Sequence, residues 1–272
     1  MKKLFLIVSL MGALATQAMA QESTVQSWGK NPRALPGTSI RVLSWNIQKA
    51  NGDEQWSQAF RQLSSSSDLV FGQEGYINSL FDQTMKDASA FFWLFATSFR
   101  YMGKETGAFF GSRYYVEGMQ WYRSPGREPG SFTHKMSISG LFPMKDGRKL
   151  LTVNTHALNF VVDRLFQEQM IPLFRTIESH RGPVIFAGDF NTWNRSRFDF
   201  LIAGIQKLGM GGVGFTDDQR RLKIDHVFYR DLTVKEAFVR TDINTSDHWP
   251  LKVTFGVERT EAAPRFVTPE LR

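Results

Sequence analysis

A chain of 272 residues that is 42% hydrophobic, with 24 Phe and 7 Trp, can bury a substantial core, which excludes a disordered tail or a low-complexity linker. It has no cysteine, so a thiol nucleophile, a thiolate zinc site, a disulfide framework and a lipoprotein anchor are excluded together. The formal charge of +7 favours polyanions or anionic surfaces as partners without choosing between them.

In chain order, Lys2-Lys3, an apolar run from Leu4 to about Thr16 and Ala18-Met19-Ala20 form the charged, greasy and small-residue series of a secretory signal over residues 1–20. The run is too short to span a bilayer comfortably. Removal after Ala20 makes the protein periplasmic or secreted and lowers the formal charge to +5; an uncleaved signal acting as an anchor is the competing reading. Residues 21–38, with Pro32, Pro36 and Gly37, read as a polar lead-in, 39–257 as one domain and 258–272 as a loose tail.

Ile40 to Ile47 predicts a strand ending on Trp45-Asn46, and Trp56, Ala59, Phe60 and Leu63 then recur at helical spacing. Asp68 to Phe71 predicts a short strand that delivers Gln73-Glu74, followed by a helix with Ile77, Leu80, Phe81 and Met85 on one face. Phe91 to Ser98, Thr106 to Arg113, Tyr114 to Tyr122, Thr133 to Phe142 and Lys149 to His156 predict strands in hairpin succession, with Asp146-Gly147 as the last turn. Phe132, His134, Met136 and Ile138 alternate with Thr133, Lys135, Ser137 and Ser139, the pattern of a sheet covered on one face.

Val162, Leu165, Phe166, Leu173, Phe174 and Ile177 predict a long helix kinked by Pro172. Val184 to Asn191, VIFAGDFN, is a buried strand breaking into a turn that carries a carboxylate and an amide, and Phe198, Leu201, Ile202, Ile205 and Leu208 predict the next helix. Gly209 to Gly214 (GMGGVG) has the spelling of a dinucleotide-binding loop, but it follows a helix and precedes none, so it reads as a flexible loop. Ile224 to Phe228, Leu232 to Val239 and Leu251 to Phe255 complete the strands. Periodicity alone implies a mixed α and β domain with amphipathic helices covering sheet faces.

Five clusters place polar or ionisable residues at predicted strand ends: Trp45-Asn46, Gln73-Glu74, Asn154-Thr155-His156, Gly188-Asp189-Phe190-Asn191 and Ser246-Asp247-His248. A sixth, Ile224-Asp225-His226, lies within a strand. In this order and spacing they resemble the endonuclease/exonuclease/phosphatase superfamily from about Ile40 to Phe255, and GDFN with the terminal SDH are the specific elements. The resemblance implies an α+β fold, a DNase I-like four-layer α/β/β/α sandwich of two mainly antiparallel sheets. It also implies a metal-dependent hydrolase of phosphoric esters, with Mg2+ as the expected ion and Mn2+ or Ca2+ as alternatives. Glu74 would be the principal metal ligand, with Asn46 and Asp247 close by.

By the same resemblance Asp189 and His248 activate and align water, His156 contacts the scissile phosphate and helps the leaving group, and Asp225 holds His248 in its reactive tautomer. Asn191 can donate its amide to a phosphoryl oxygen. Which histidine is base and which is acid stays open. The expected partner is a phosphodiester substrate, nucleic acid first, and a phospholipid or sugar-phosphate ester second, with a membrane surface involved only as substrate. A non-catalytic binding module on the same scaffold is the reading from another class. No protein partner is inferred, and a monomer is expected. His134 reads as a sheet residue, His180 as a helix-end residue and His226 as facing away from Asp225. Arg195, Arg197, Arg220, Arg221 and Lys223 could bind phosphate but read as solvated surface charges, and Trp193 as a packing residue rather than a stacking one.

Overall fold

The computed structural model describes residues 25–29, 34–35, 37–50 and 53–257; the proposed leader and the tail lie outside them. The chain runs through β1 (Val25–Trp28), β2 (Ser39–Asn46), α1 (Asp53–Ser65), β3 (Leu69–Tyr76), α2 (Ser79–Asp87), β4 (Phe92–Tyr101) and β5 (Lys104–Ser112). It continues through β6 (Gly118–Arg123), β7 (Met136–Pro143), β8 (Lys149–His156), α3 (Asp163–Ser179), β9 (Val184–Asp189) and α4 (Arg195–Lys207). The last strands are β10 (Gly211–Gly212), β11 (Asp225–Arg230), β12 (Thr233–Val239) and β13 (Leu251–Gly256).

These strands form a seven-stranded sheet in the order β1-β4-β5-β3-β2-β13-β12 and a six-stranded sheet in the order β10-β11-β9-β8-β7-β6. Pairing is antiparallel except for β2 with β3 and β8 with β9, where α1 and α3 make the crossovers. The two sheets bury Ile40, Val42, Phe71, Phe110, Ile138, Ile185 and Val253 between them. Leu43, Trp45 and Phe109 point the other way onto α1 and α2, and Val153, Val184 and Phe186 onto α3 and α4. Strands buried on both faces read as unbroken apolar runs, which is why VIFA and FFWLFA carry no alternation. The result is the four-layer α/β/β/α sandwich. Where disulfides are lacking, aromatic packing under α1 and α2 supplies cohesion: Trp56 lies 5.4 Å from Phe60 and 6.0 Å from Phe81, and Phe60 lies 5.7 Å from Trp93. Among the described residues, no helix is long and apolar enough to cross a membrane.

Four local expectations are corrected. Within the lead-in, Val25–Trp28 forms an edge strand paired with β4. GMGGVG is not a flexible loop: Met210 to Val213 is buried and Gly211–Gly212 pairs with β11, where residues without side chains fit the sheet edge. The strand predicted from Thr133 begins only at Met136, so His134 and Lys135 precede it. His134 lies outside the sheet, with Nδ1 on the Ser124 carbonyl. The long helix expected around Pro172 is present as α3, with Pro172 inside it.

Away from the strand ends, buried Asp68 ties β3 to β2. It accepts the Arg41 backbone N–H at 2.9 Å, Arg41 Nε and Nη2 at 3.0 and 2.9 Å, and the Tyr114 hydroxyl at 3.2 Å. Burial opposes ionisation of Asp68, but these donors outweigh it and hold the carboxyl below its ordinary 3.8. Asp68→Ala should cost about 1–3 kcal/mol in a urea melt near neutral pH. Because the folded pKa is depressed, this contribution is complete above the ordinary pKa and is lost as pH falls through the folded value. The gap between wild type and variant should therefore stay constant down to about pH 4 and close below it.

Candidate active site

The site is built by register. On the six-stranded sheet, Asp189 at the end of β9 stands opposite His156 at the end of β8 and opposite Asp225 at the start of β11. On the facing sheet, Asn46 ends β2 in register with Gln73 of β3. The sheets are close enough here for Asn46 Nδ2 to donate to Asp189 Oδ2 at 3.0 Å, and for Gln73 Nε2 to donate to Asn154 Oδ1 at 2.7 Å. Gly188 permits the approach of β8 and β9: its φ is 142°, and a Cβ there would sit 1.9 Å from the Thr155 carbonyl oxygen.

Asn46, Glu74, His156, Asp189, Asn191, Asp225, Asp247 and His248 all line a single cleft of about 570 Å³. Every sequence-predicted site residue is therefore gathered there. Glu74 is delivered from inside β3 rather than from its end, at a bulge between Gly72 and Gly75, where its φ of 54° turns the carboxylate toward the cleft. The loop carrying Asp247 and His248 is fastened to β2: Ser246 Oγ donates to the Asn46 carbonyl at 2.7 Å, and Trp45 Nε1 donates to the His248 carbonyl at 2.9 Å. Trp45 thus positions His248, a role its apolar character does not announce.

Asp189 is the hub. It accepts from Asn46 and from the Asn191 backbone N–H at 3.0 Å, and its Oδ2 lies 3.5 Å from His156 Nε2 and 4.0 Å from His248 Nε2. Burial raises the Asp189 carboxyl above its ordinary range, and the Asp225 charge adds to the effect. His248 Nδ1 pairs with Asp225 Oδ2 at 2.8 Å. Burial opposes a charge on His248, but Asp225 and Asp189 outweigh it and lift the imidazole to about 10. His156 behaves in the opposite way: burial, then the Lys135 ammonium, hold it well below the ordinary value. At neutral pH one histidine is charged and the other neutral.

Burial also resists ionisation of Glu74, and the positive field of His156, Lys135 and Lys49 overrides it to about 2. At neutral pH, where His156 is neutral, Lys135 and Lys49 are the cations that remain beside Glu74. Lys49 Nζ lies 2.5 Å from Glu74 Oε2. Among the described residues, Asp189, Asp225 and His248 form a group whose ligand atoms lie within 4.8 Å of one another. Asn191, at φ 49°, commits one amide hydrogen to the Ala157 carbonyl at 2.9 Å.

A model of the Endonuclease/Exonuclease/phosphatase family matches residues 43–248, from β2 to His248. The chain belongs to this family. A Vibrio campbellii relative, described as a UPF0294 protein, is 32% identical over 235 residues, covering 83% of this chain and 81% of the relative. A solved endonuclease/exonuclease/phosphatase family protein from Bacteroides thetaiotaomicron aligns with a TM-score of 0.61 at 21% identity, over 82% of this chain and 100% of its own. ANGEL2, a 2',3'-cyclic phosphatase, aligns at 0.62 and 12% identity, over 85% and 98%. The two solved structures establish likeness of fold. Family members hydrolyse phosphoric ester bonds, and this chain is such a hydrolase.

Within the family frame, several residues outside the motifs also reach the site. Lys135, read from its alternation as an outward sheet residue, is buried in the cleft with its Nζ 3.2 Å from Glu128 Oε2. Arg197 is a fully buried side chain rather than a surface charge, donating to the Leu158 carbonyl at 3.2 Å and to the Val161 carbonyl. Arg220 is also largely enclosed, bound to Asp218 and to the Asp225 carbonyl at 2.7 Å, so it braces the strand start that carries Asp225. His226 faces away from Asp225, with Nε2 2.9 Å from Thr192 Oγ1, among Phe190, Phe198 and Phe228. His180 caps the end of α3 and contacts the Lys149 carbonyl at 2.9 Å.

Proposed function

We propose that the chain is an exported, divalent-metal-dependent phosphodiesterase that hydrolyses a P–O bond by attack of water at phosphorus, with nucleic acid as the first substrate class. The observation that carries this reading is the convergence on Asp189 of groups from both sheets: Asn46, His156, Asn191 and the His248–Asp225 pair. Export to the periplasm or the medium rests on the signal-like residues 1–20, and a monomer is the simplest state for a cleft made by one chain.

The donor set suits a hard cation. Glu74 is ionised, Asn46 and Asp247 offer amide and carboxylate oxygens on the same cleft, and no thiolate competes. Glu74, Asn46 and Asp247 would hold Mg2+, which when bound neutralises charge on the non-bridging phosphoryl oxygens. Asp189, made more basic by burial, takes the proton of the attacking water. His248 enters charged and donates to the phosphoryl or leaving oxygen, while Asp225 keeps its ring oriented and protonated. Neutral His156 hydrogen-bonds the phosphate, and the other Asn191 amide hydrogen stabilises the charge that builds on it. A lipid phosphodiester is the second reading, supported by the exposure of Phe160 on the cleft.

Purified protein with Mg2+ should be offered single-stranded and plasmid DNA, RNA, phospholipid headgroup esters and sugar phosphates in parallel. Hydrolysis of nucleic acid above the others is the expected result. Turnover confined to lipid or sugar esters would replace the substrate class, and no turnover on any would overturn the reading.

A further inference from the structure

Phe160 is 71% exposed and lines the cleft beside Asn159 and Asn191. Its backbone stands at φ 50°, a left-handed conformation that a bulky residue adopts only at a cost, and its ring gains little burial in return. Folding offers no reward for an aromatic ring at this point, whereas a ligand would. The loop that presents it is held rigidly. Asn159 N–H donates to Glu128 Oε1 at 2.7 Å, Phe160 N–H to Asn159 Oδ1 at 2.9 Å and Trp193 Nε1–H to the same oxygen at 2.7 Å. Arg197 clamps the loop carbonyls from beneath, with its guanidinium 5.2 Å from the Trp193 ring centroid. Trp193, itself 43% exposed, backs Phe160 at 5.9 Å between centroids.

We propose that Phe160, backed by Trp193, is a preformed stacking platform for a nucleobase next to the scissile phosphate, so that the substrate is a single-stranded nucleic acid. The inference rests on the nucleic-acid reading above and narrows it. The platform lines the same cleft as His156, Asp189 and His248, so a ring lying on it belongs to the molecule whose phosphate those groups hold. Arg221 in the cleft adds positive charge for the backbone, and aromatic rings combined with such charge are how unpaired strands are held without sequence preference. A base inside a duplex has no free face to offer.

The test is binding by the full chain, in Mg2+, of a phosphorothioate-linked hexanucleotide, compared with the same backbone carrying abasic sites, with strand integrity checked after each titration. Wild type should bind the base-bearing strand about tenfold tighter, Phe160→Ala should bring the ratio to about one, and Phe160→Trp should restore it. A thermal melt shows whether each variant is folded. An unchanged ratio in folded Phe160→Ala, or no base preference in wild type, would overturn the platform. Loss of co-sedimentation with phosphatidylglycerol vesicles in Phe160→Ala, with the ratio unchanged, would also overturn it in favour of a membrane anchor. Base-dependent binding that is lost in Phe160→Ala, in a protein that hydrolyses no strand, would uphold the platform and overturn only the hydrolytic reading.

Discussion

His248→Ala is expected to lower kcat on a phosphodiester by about 10²–10⁴-fold, the usual worth of a positioned acid–base group. No other charged imidazole reaches the hub, since His156 is held neutral and His226 faces the α4 side of the sheet. Asp225→Asn should act through His248 and cost roughly 10–100-fold, as loss of an orienting carboxylate does. Its pH profile gives the sharper readout. With Asp225 in place His248 stays protonated up to about 10, so activity that depends on the imidazolium should persist through neutral pH. Without that carboxylate the pKa falls, and activity should decline as pH rises past about 6–7. Wild-type-like rates from His248→Ala, or an unmoved profile in Asp225→Asn, would remove His248 from the chemistry.

Glu74→Gln should be nearly as damaging by a different route. The substitution keeps the size of the side chain but removes the charge that attracts a divalent ion, and Lys49 loses its partner at 2.5 Å. Charge stabilisation by a bound metal is worth several kcal/mol, and each 1.36 kcal/mol is a factor of ten, so a loss of at least about 100-fold is expected. Half-saturating Mg2+ should rise in the same variant, and a calorimetric metal titration measures that independently of turnover. An unaltered Mg2+ isotherm would mean that Glu74 is not the ligand.

Much of this site was legible in the chain because its residues sit where strands stop. Asp189, Asn191, His156 and Asn46 each follow an apolar run, and the turn chemistry of Gly188-Asp189-Phe190-Asn191 marks the break. The four layers are less directly encoded. Alternation and helical spacing reveal strands and helices, while the pairing of β2 with β3 and β8 with β9, which aligns those ends, depends on crossovers that periodicity does not specify.

The residues that escaped sequence reasoning do so for physical reasons. Glu74 itself is legible beside Gln73, but the bulge that turns it into the cleft is not, being a one-residue change of register with no compositional mark. Lys135 looks like the outward member of an alternating strand, but that strand begins one residue later, and Glu128, a carboxylate earlier on the same β6–β7 connection, accompanies its ammonium into the interior. Arg197 opens a helix and looks solvated, yet it is held by the Leu158 and Val161 carbonyls and the Asp163 carboxylate, all more than 30 residues away, which no local pattern announces. Trp45 reads as core and is core, but its one polar atom fixes the His248 loop.

The most direct test of the account is hydrolysis of a single phosphodiester by the wild-type protein before and after chelation, with metal then returned. Turnover that stops in EDTA and recovers with added Mg2+ is the result predicted for an oxygen-lined cleft whose ionised Glu74 collects a hard cation. Turnover that continues undiminished at full chelation would contradict it, because the protein side chains alone would then be carrying the charge of the reaction.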